Sequence, residues 1–307
     1  MSPIYQGTSS VAIHYGNLAA APTSPAPTEG STYWETDEDQ KFIYDGTDWH
    51  SMDMTTTAYT GGSSTNWWKS EGIQNNDTWN AEKGGKNLTE NGNDDLVYTA
   101  SDSDFNNHKS LGQGGGYSRM VSTGSNGHLW NAQNEGYSAM AVIKKSTHYG
   151  SFSTADGMWC HVEDTSTPSG TYGHGLYGDH IWSWNSTQRW GDSLDMGSEP
   201  RYGIYLVRFD SSGHGDIQFW GGTTVANAKS NTSWTTVGTY SSGGWPDYPA
   251  SNSAVGISLF NFMGTTSGGH RWSGKIAEFI YWKGSKISDT ERDLFKDYAK
   301  PKFFPSS

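Results

Sequence analysis

The sequence predicts an all-β protein: a two-sheet antiparallel jelly-roll sandwich with one short C-terminal helix, preceded by a small β-meander and an extended arm. Three observations carry that expectation. The apolar area is concentrated in 15 Trp, 17 Tyr and 11 Phe, in a chain of which only 33% is hydrophobic. Aromatics bury much surface each and keep a polar edge near water, so a core is within reach. The 39 Gly, together with abundant Ser, Thr and Asn, favour turns over helix. Short runs of β-branched and aromatic residues bounded by Gly, Ser or Asp recur along the chain, and helix signals gather only at its end.

Residues 1–29 are small, polar and punctuated by Pro22, Pro25 and Pro27. Such a segment buries too little surface to fold alone and is expected to be an extended arm or linker. Residues 30–54 form a small hairpin module. In "GSTYWETDEDQKFIYDGTDWHSM" (Gly30 to Met52), Tyr33 and Trp34 precede a polar turn, "KFIY" follows, and the Asp45-Gly46 turn leads to Trp49. Asp-Gly supplies the positive φ that tight hairpins need, so the reading is a three-stranded meander. A meander this small is marginal alone.

The main body is placed at 55–307, after the Thr/Gly/Ser hinge "TTTAYTGGSST" (Thr55–Thr65). Strands are expected at Tyr137–Lys145, Tyr202–Asp210, Asp216–Gly222, Ala254–Phe262 and Lys275–Lys283, each in partial alternation. Many short strands with Gly-rich turns make a sandwich of two antiparallel sheets. The closing helix begins at Ser288, an N-cap with Glu291 three residues on as a capping box. Asp289 and Glu291 suit the positive end of the helix dipole. Leu294 and Tyr298, joined by Phe295, form its apolar face, and Pro301 is expected to end it.

Bulk properties exclude several functions. A formal charge of −12 disfavours a nucleic-acid partner, which needs clustered Lys and Arg. The lone Cys160 precludes an intrachain disulfide. No apolar run approaches the roughly 18 residues of a membrane span, so no membrane insertion is expected. The first residues lack a basic start and a continuous apolar stretch, so no secretory leader is expected there.

The ending "GKIAEFIYWKGSKISDTERDLFKDYAKPKF" resembles the closing signature of concanavalin A-like lectin/glucanase domains, the laminin-G-like jelly rolls. There a G-x-I-A-E strand leads into S-D-x-E-R and a short helix. "DDLVYTASDSDFNNHKSLGQGG" and "IYLVRFDSSGHGDIQFWGGT" are similar to earlier segments of the same family, so the likeness runs from Gly61 to Phe304. It implies the jelly roll and leaves function open, because this sandwich hosts lectins, hydrolases and purely structural modules. Separately, Tyr33, Asp37, Lys41, Tyr44, Asp45, Gly46, Thr47 and Trp49 match a small hairpin module common in bacteriophage tail fibres and other virion proteins. That resemblance implies a virion protein, assembled in the host cytoplasm and exposed on the particle surface. It would serve as tail fibre, adhesin or capsid decoration, held to other virion proteins by its arm and forming a homo-oligomer.

Hydrolysis by a glucanase of this fold calls for an E-x-D-x-x-E or E-x-D-x-E array on one strand, so that acid and nucleophile flank the scissile bond. "ETDED" (Glu35, Asp37, Asp39) lacks the final Glu and falls in the hairpin, and Glu163 and Asp164 are adjacent and would face opposite ways. On that ground a non-enzymatic protein is expected, with a glycan-cleaving hydrolase of the same fold as the alternative. His161, His174 and His180 lie near Cys160 without the paired spacing of a zinc site and read as loop histidines. No cofactor is expected, although calcium held by loop carboxylates such as Asp179, Asp192 or Asp195 stays open.

The best candidate for ligand binding is "GHGLYGDHIWSWNSTQRWGD" (Gly173–Asp192). It gathers Trp182, Trp184 and Trp190 with Asp179, His180, Asn185, Arg189 and Asp192. A flat aromatic stacks on the apolar face of a pyranose while neighbouring polar groups take its hydroxyls, so the expected ligand is a glycan or a host-cell surface. Trp182 and Trp184 would share one face of a strand. Two Trp on an inner face would equally serve as core, as a purely architectural protein would require. "NTSWTTVGTYSSGGWPDYP" (Asn231–Pro249) is a second aromatic candidate.

Overall fold

The computed structural model describes residues 13–16, 32–35, 40–44, 49–51, 65–84, 86–92, 96–114, 118–122, 136–146, 156–162, 170–177, 180–185, 189–195, 201–211, 214–240, 256–260, 272, 274–284 and 286–305. The chain divides into two compact units, residues 1–60 and 61–307. In the first, β1 (Ile13–Gly16), β2 (Thr32–Glu35), β3 (Gln40–Tyr44) and β4 (Trp49–Ser51) make a four-stranded sheet in that order. The β2–β3–β4 meander is antiparallel. Ile13–Gly16 lies inside the stretch expected to be a free arm; instead it is a strand, parallel to β2 and in register from Ile13 with Thr32. An unpaired backbone has every reason to take such an edge, which supplies partners for its N–H and C=O groups. The turns at 36–39 and 45–48 lie outside the described residues.

In the second unit the strands run, in chain order, β5 (Thr65–Trp68), β6 (Thr78–Trp79), β7 (Leu88–Asn91), β8 (Leu96–Asp102), β9 (His108–Gln113), β10 (Arg119–Ser122), β11 (Tyr137–Lys145) and β12 (Asp156–Val162). They continue with β13 (Gly170–Tyr177), β14 (His180–Asn185), β15 (Arg189–Asp195), β16 (Arg201–Phe209), β17 (Gly215–Gly222), β18 (Thr235–Tyr240), β19 (Gly256–Leu259) and β20 (Gly274–Lys283). One eight-stranded sheet has the order β15-β14-β13-β12-β19-β10-β7-β6. The other runs β18-β17-β16-β11-β20-β9-β8, with β5 also paired to β20. Ladders in both are antiparallel. The unit is thus the expected two-sheet sandwich.

Alternation fills the space between the sheets. Tyr137, Ala139, Ala141 and Ile143 of β11 join Ile276, Phe279 and Tyr281 of β20 and Tyr205, Val207 and Phe209 of β16 on one side. Trp159, Ile257, Leu259 and Met120 come from the other sheet. Tyr137 stacks on Tyr281 and meets Trp159 edge-on, so aromatic packing ties the layers together. Where β20 ends, Gly284 adopts φ 72°, which only glycine takes without strain, and the chain turns towards the closing helix.

Two α-helices are described: α1 (Val225–Ser230), a short turn capped by Thr224 that was not foreseen, and α2 (Asp289–Phe303). The Ser288–Glu291 capping box is present in full. Two details of α2 differ from expectation. Its buried line is Phe295, Ala299 and Phe303, while Leu294 is only half-buried. The helix also continues through Pro301. A proline in the last turn forfeits one hydrogen bond, to the carbonyl of Asp297. Burying Phe303 and Phe304, both inaccessible to solvent, is worth about 1.5–3 kcal/mol each and outweighs that loss.

Candidate functional site

Two groups of residues compete for the site, on different sheets. The first is the aromatic segment. Its three strands β13, β14 and β15 form a meander at the edge of their sheet. Their register is informative. Trp184 pairs with Gly173 on β13 and Arg189 on β15, and Trp182 with Gly175 and Gly191. His180 pairs with Tyr177 and Asp195. Inward along the ladder, Gly173 pairs with Cys160, whereas the core residue Trp159 pairs with His174.

Paired residues share a face of a sheet and successive residues alternate. Trp182, Trp184, His180 and Arg189 therefore fall on the face opposite the one that Trp159 and Leu259 present to the core. Trp190 pairs with Ser183 and takes the core parity, as does Asn185. The proposed cluster is thus split by the pleat. Asp192 lies where the β14–β15 register shifts, and Asp179 lies outside the described residues.

Other expectations for this region need correcting. Asp192 and Asp195 are in β15 rather than in a loop, and His161, His174 and His180 are strand residues. Among the described residues no group of three or more His, Cys, Asp or Glu is placed to hold a metal ion. Glu163 and Asp164 lie outside the described residues. In the second aromatic stretch, Trp234 is committed to α2: its Nε1 donates to Asp293 Oδ1 at 2.8 Å and the Arg292 guanidinium sits over its ring.

The second group went unnoticed in the sequence. On the outer face of the other sheet, Glu278 of β20 is wholly buried beneath α2. Trp67 Nε1 donates to its Oε1 at 2.7 Å, and Lys302 Nζ donates to its Oε2 at 2.8 Å. Tyr298 Oη donates to the same Oε2 at 3.3 Å. Lys302 also donates to Glu71 Oε2 at 3.0 Å and to Tyr298 Oη at 2.7 Å, which uses its three N–H groups. His108 Nδ1 stands 3.6 Å from Glu71 Oε1. Lys69, Glu71, Glu82, His108, Tyr298 and Lys302 line an open pocket of about 410 Å³ above this cluster.

Burial pushes the Glu278 carboxyl above its usual range, with Lys302 pulling the other way. For Glu71, burial opposes ionisation but the charge and hydrogen bond of Lys302 outweigh it, and its pKa is lowered. Two carboxylates with their pKa values driven apart is the division that acid–base catalysis uses. Glu278, however, has no solvent access and both its oxygens are engaged, so it has no path to a substrate. Burial first, then the Glu278 charge, raises the Tyr298 hydroxyl and keeps it a proton donor rather than a nucleophile. The cluster fastens α2 to the sheet. Its signal in the sequence was a lone Glu in the apolar strand "KIAEFIYWK", since a charge buried there needs partners.

No protein-family model matches the chain, and no curated protein matches it in sequence. Solved structures do resemble it. The Trypanosoma rangeli sialidase, in complex with 2,3-difluorosialic acid as a covalent intermediate, aligns with a TM-score of 0.52 at 6% identity, covering 91% of this chain and 46% of the sialidase. A GH54 α-L-arabinofuranosidase aligns at 0.48 with 16% identity, over 74% of this chain and 51% of that one. The binding domain of botulinum neurotoxin serotype D aligns at 0.45 with 8% identity, over 76% and 50%. The chain spans about half the length of each of these proteins.

The sialidase likeness is one of all-β fold alone. It corrects the expectation of a non-enzymatic protein to this extent: an all-β fold of this kind occurs within a sialidase, so the absent array is no ground for excluding catalysis. The missing one-strand carboxylate array was too narrow a criterion. Glu71 and Glu278, far apart in the chain, reach one ammonium here, so carboxylates on separate elements meet without leaving any linear spacing.

Proposed function

We propose that this chain is a glycan-recognising β-sandwich whose binding face is the outer side of β13, β14 and β15. The observation that carries this reading is the register of Trp182. It has glycine as its paired residue on both neighbouring strands, Gly175 and Gly191, on the face opposite the core. A sugar ring needs a flat aromatic surface with room beside it, and glycine at both paired positions puts no side chain at either of them. Trp184, with Gly173 on one side, extends the platform. A glycine-flanked aromatic would be a poor choice for core packing, where paired positions are filled.

The experiment is a glycan-array screen of the full chain alongside Trp182→Ala and Trp184→Ala. Specific binding that disappears in both variants, with unchanged circular dichroism, supports the reading; binding that survives both substitutions sinks it. Glycoside cleavage is a second reading, supported by the fold shared with the sialidase. Release of new reducing ends from any glycan the chain binds distinguishes cleavage from simple binding.

The finer setting of this proposal is a virion surface. The resemblance of Gly30–Met52 to a tail-fibre hairpin module supports it. Residues 1–60 would attach the chain to other virion proteins, and the sandwich, as part of a homo-oligomer, would face the host or decorate the shell. Mass spectrometry of purified particles is the check: a chain missing from intact particles ends this part of the proposal.

A further inference from the structure

On the sheet that does not carry β13–β15, the open pocket of about 410 Å³ lined by Lys69, Glu71, Glu82, His108, Tyr298 and Lys302 has chemistry that fastening α2 does not use. Its own ammonium groups show what its walls select. Lys302 Nζ rests 5.1 Å from the centre of the Tyr298 ring and 4.8 Å from that of Phe303, and it bonds Glu71 and Glu278. Lys69 Nζ lies 4.2 Å from the centre of the Trp67 ring and donates to Glu82 Oε1 at 3.2 Å. Each ammonium thus combines an aromatic face with a carboxylate, the two kinds of group that hold an organic cation.

The polarity of the pocket is layered. The Lys69 and Lys302 side chains lie inside, 19% and 13% exposed, whereas Glu82 and Glu71 stand at the mouth, 47% and 59% exposed. Lys302 uses all three of its N–H groups on Glu71, Glu278 and Tyr298. Among the described residues Lys69 alone donates to Glu82, through Oε1, which leaves Oε2 as an acceptor. Glu71 Oε1 faces His108 Nδ1 at 3.6 Å, longer than a hydrogen bond. Burial, and then the Lys302 charge, lower the His108 pKa, so its imidazole sets no charge against a cation at neutral pH. Among the described residues no three metal-binding side chains converge, which disfavours a bare metal ion as the ligand.

We infer that this pocket takes a small organic ammonium ion, an amino sugar or a polyamine, whose –NH3+ group is received by the carboxylates of Glu82 and Glu71. Lys69 has N–H groups left for a hydroxyl of the same ligand. The volume is one that holds small ligands. The site is separate from the proposed glycan face and does not rest on it. The bland account is a pair of solvated ion pairs, Lys69–Glu82 and Lys302–Glu71, and it predicts no preference between an amine and its neutral derivative.

The test is calorimetric titration of the full chain, at neutral pH, with glucosamine, N-acetylglucosamine and spermidine. N-acetylation removes the charge and keeps the ring. Glucosamine is expected to bind about fivefold or more tightly than N-acetylglucosamine, with the gap narrowing as salt is added. Glu82→Gln should weaken amine binding roughly two- to fivefold, the worth of one half-exposed charge pair. Trp182→Ala should leave it unchanged. Glucosamine bound without spermidine points to an amino sugar, spermidine without glucosamine to a polyamine, and both to the ammonium group itself.

No binding of either amine, or N-acetylglucosamine bound as tightly as glucosamine, overturns the inference. Amine binding unchanged by Glu82→Gln overturns it too; if Trp182→Ala then abolishes that binding, the amine sits on the glycan face instead. Should Glu82→Gln fail to fold, glucosamine against N-acetylglucosamine on the Trp182→Ala chain still decides.

Discussion

The two sheets of the sandwich treat their outer faces in opposite ways. Beneath α2, the outer face of β5, β16, β17 and β20 carries Trp67, Arg208, Gln218, Trp220 and Glu278, each tied to the helix or its flanks. Arg208 bonds the Ile287 carbonyl and Asp289 where the helix starts, and Lys302 bonds Glu278 where it ends. That face is closed by large side chains and paired charges, although the buried Trp220 Nε1 has no hydrogen-bond partner among the described residues. Across β13–β15 the register pairs Trp182 with Gly175 and Gly191, and Trp184 with Gly173 and Arg189. Buried charges that find their partners hold a surface shut. The strands β13–β15 are where the proposed glycan face lies.

Four substitutions test that contrast. The largest effect belongs to Lys302→Met, which leaves the buried Glu278 without its cation and should cost about 3–5 kcal/mol of stability in urea unfolding. The double variant Lys302→Met/Glu278→Leu should recover most of that loss, because removing both charges also removes the desolvation penalty. A double variant as unstable as the single one would show that the cluster's energetics lie elsewhere. Ser288→Ala removes the capping box and should cost about 1 kcal/mol by the same measurement. A change near zero would mean that the arginine and lysine clamps alone hold the helix.

The third prediction concerns pH. Burial, then the nearby Lys302 charge, lowers the His108 pKa, against the opposing pull of Glu71. A lowered imidazole pKa means that the unfolded chain binds the proton more readily. The stability His108 contributes is therefore full above about pH 6.5 and falls as pH drops through its lower folded value. His108→Gln should flatten the decline of the urea midpoint just below pH 6.5, and an unchanged profile would remove His108 from the account. The smallest effect is expected on the other sheet. Trp182→Ala, on a face away from the core, should change stability by no more than about 0.5 kcal/mol. A loss of 3 kcal/mol or more, the usual cost of a core Trp→Ala, would place Trp182 in a packed interior and end the comparison.

The elements that could be read from sequence were those whose causes are local. β11 spans Tyr137–Lys145 as its alternation indicates, and the SDTE cap opens α2 at Asp289. Pro301 misled because a local rule met a tertiary one: two buried phenylalanines beyond it hold the last turn. The arm misled for the same reason, since only the presence of β2 gives Ile13–Gly16 something to pair with. Within the candidate site, the gathering of Trp182, Trp184 and Trp190 was plain, but which of them share a face depended on their pairing with β13 and β15.

The sequence by itself determined the all-β class, the strand periodicity and the capped helix, because propensity, alternation and capping act over a few residues. Tertiary structure alone decided that Glu278 would find Lys302, Tyr298 and Trp67, and that Trp182 would lie between two glycines. Those outcomes depend on strand order and register, which are set by how the core closes over long stretches of chain and not by any neighbouring residue.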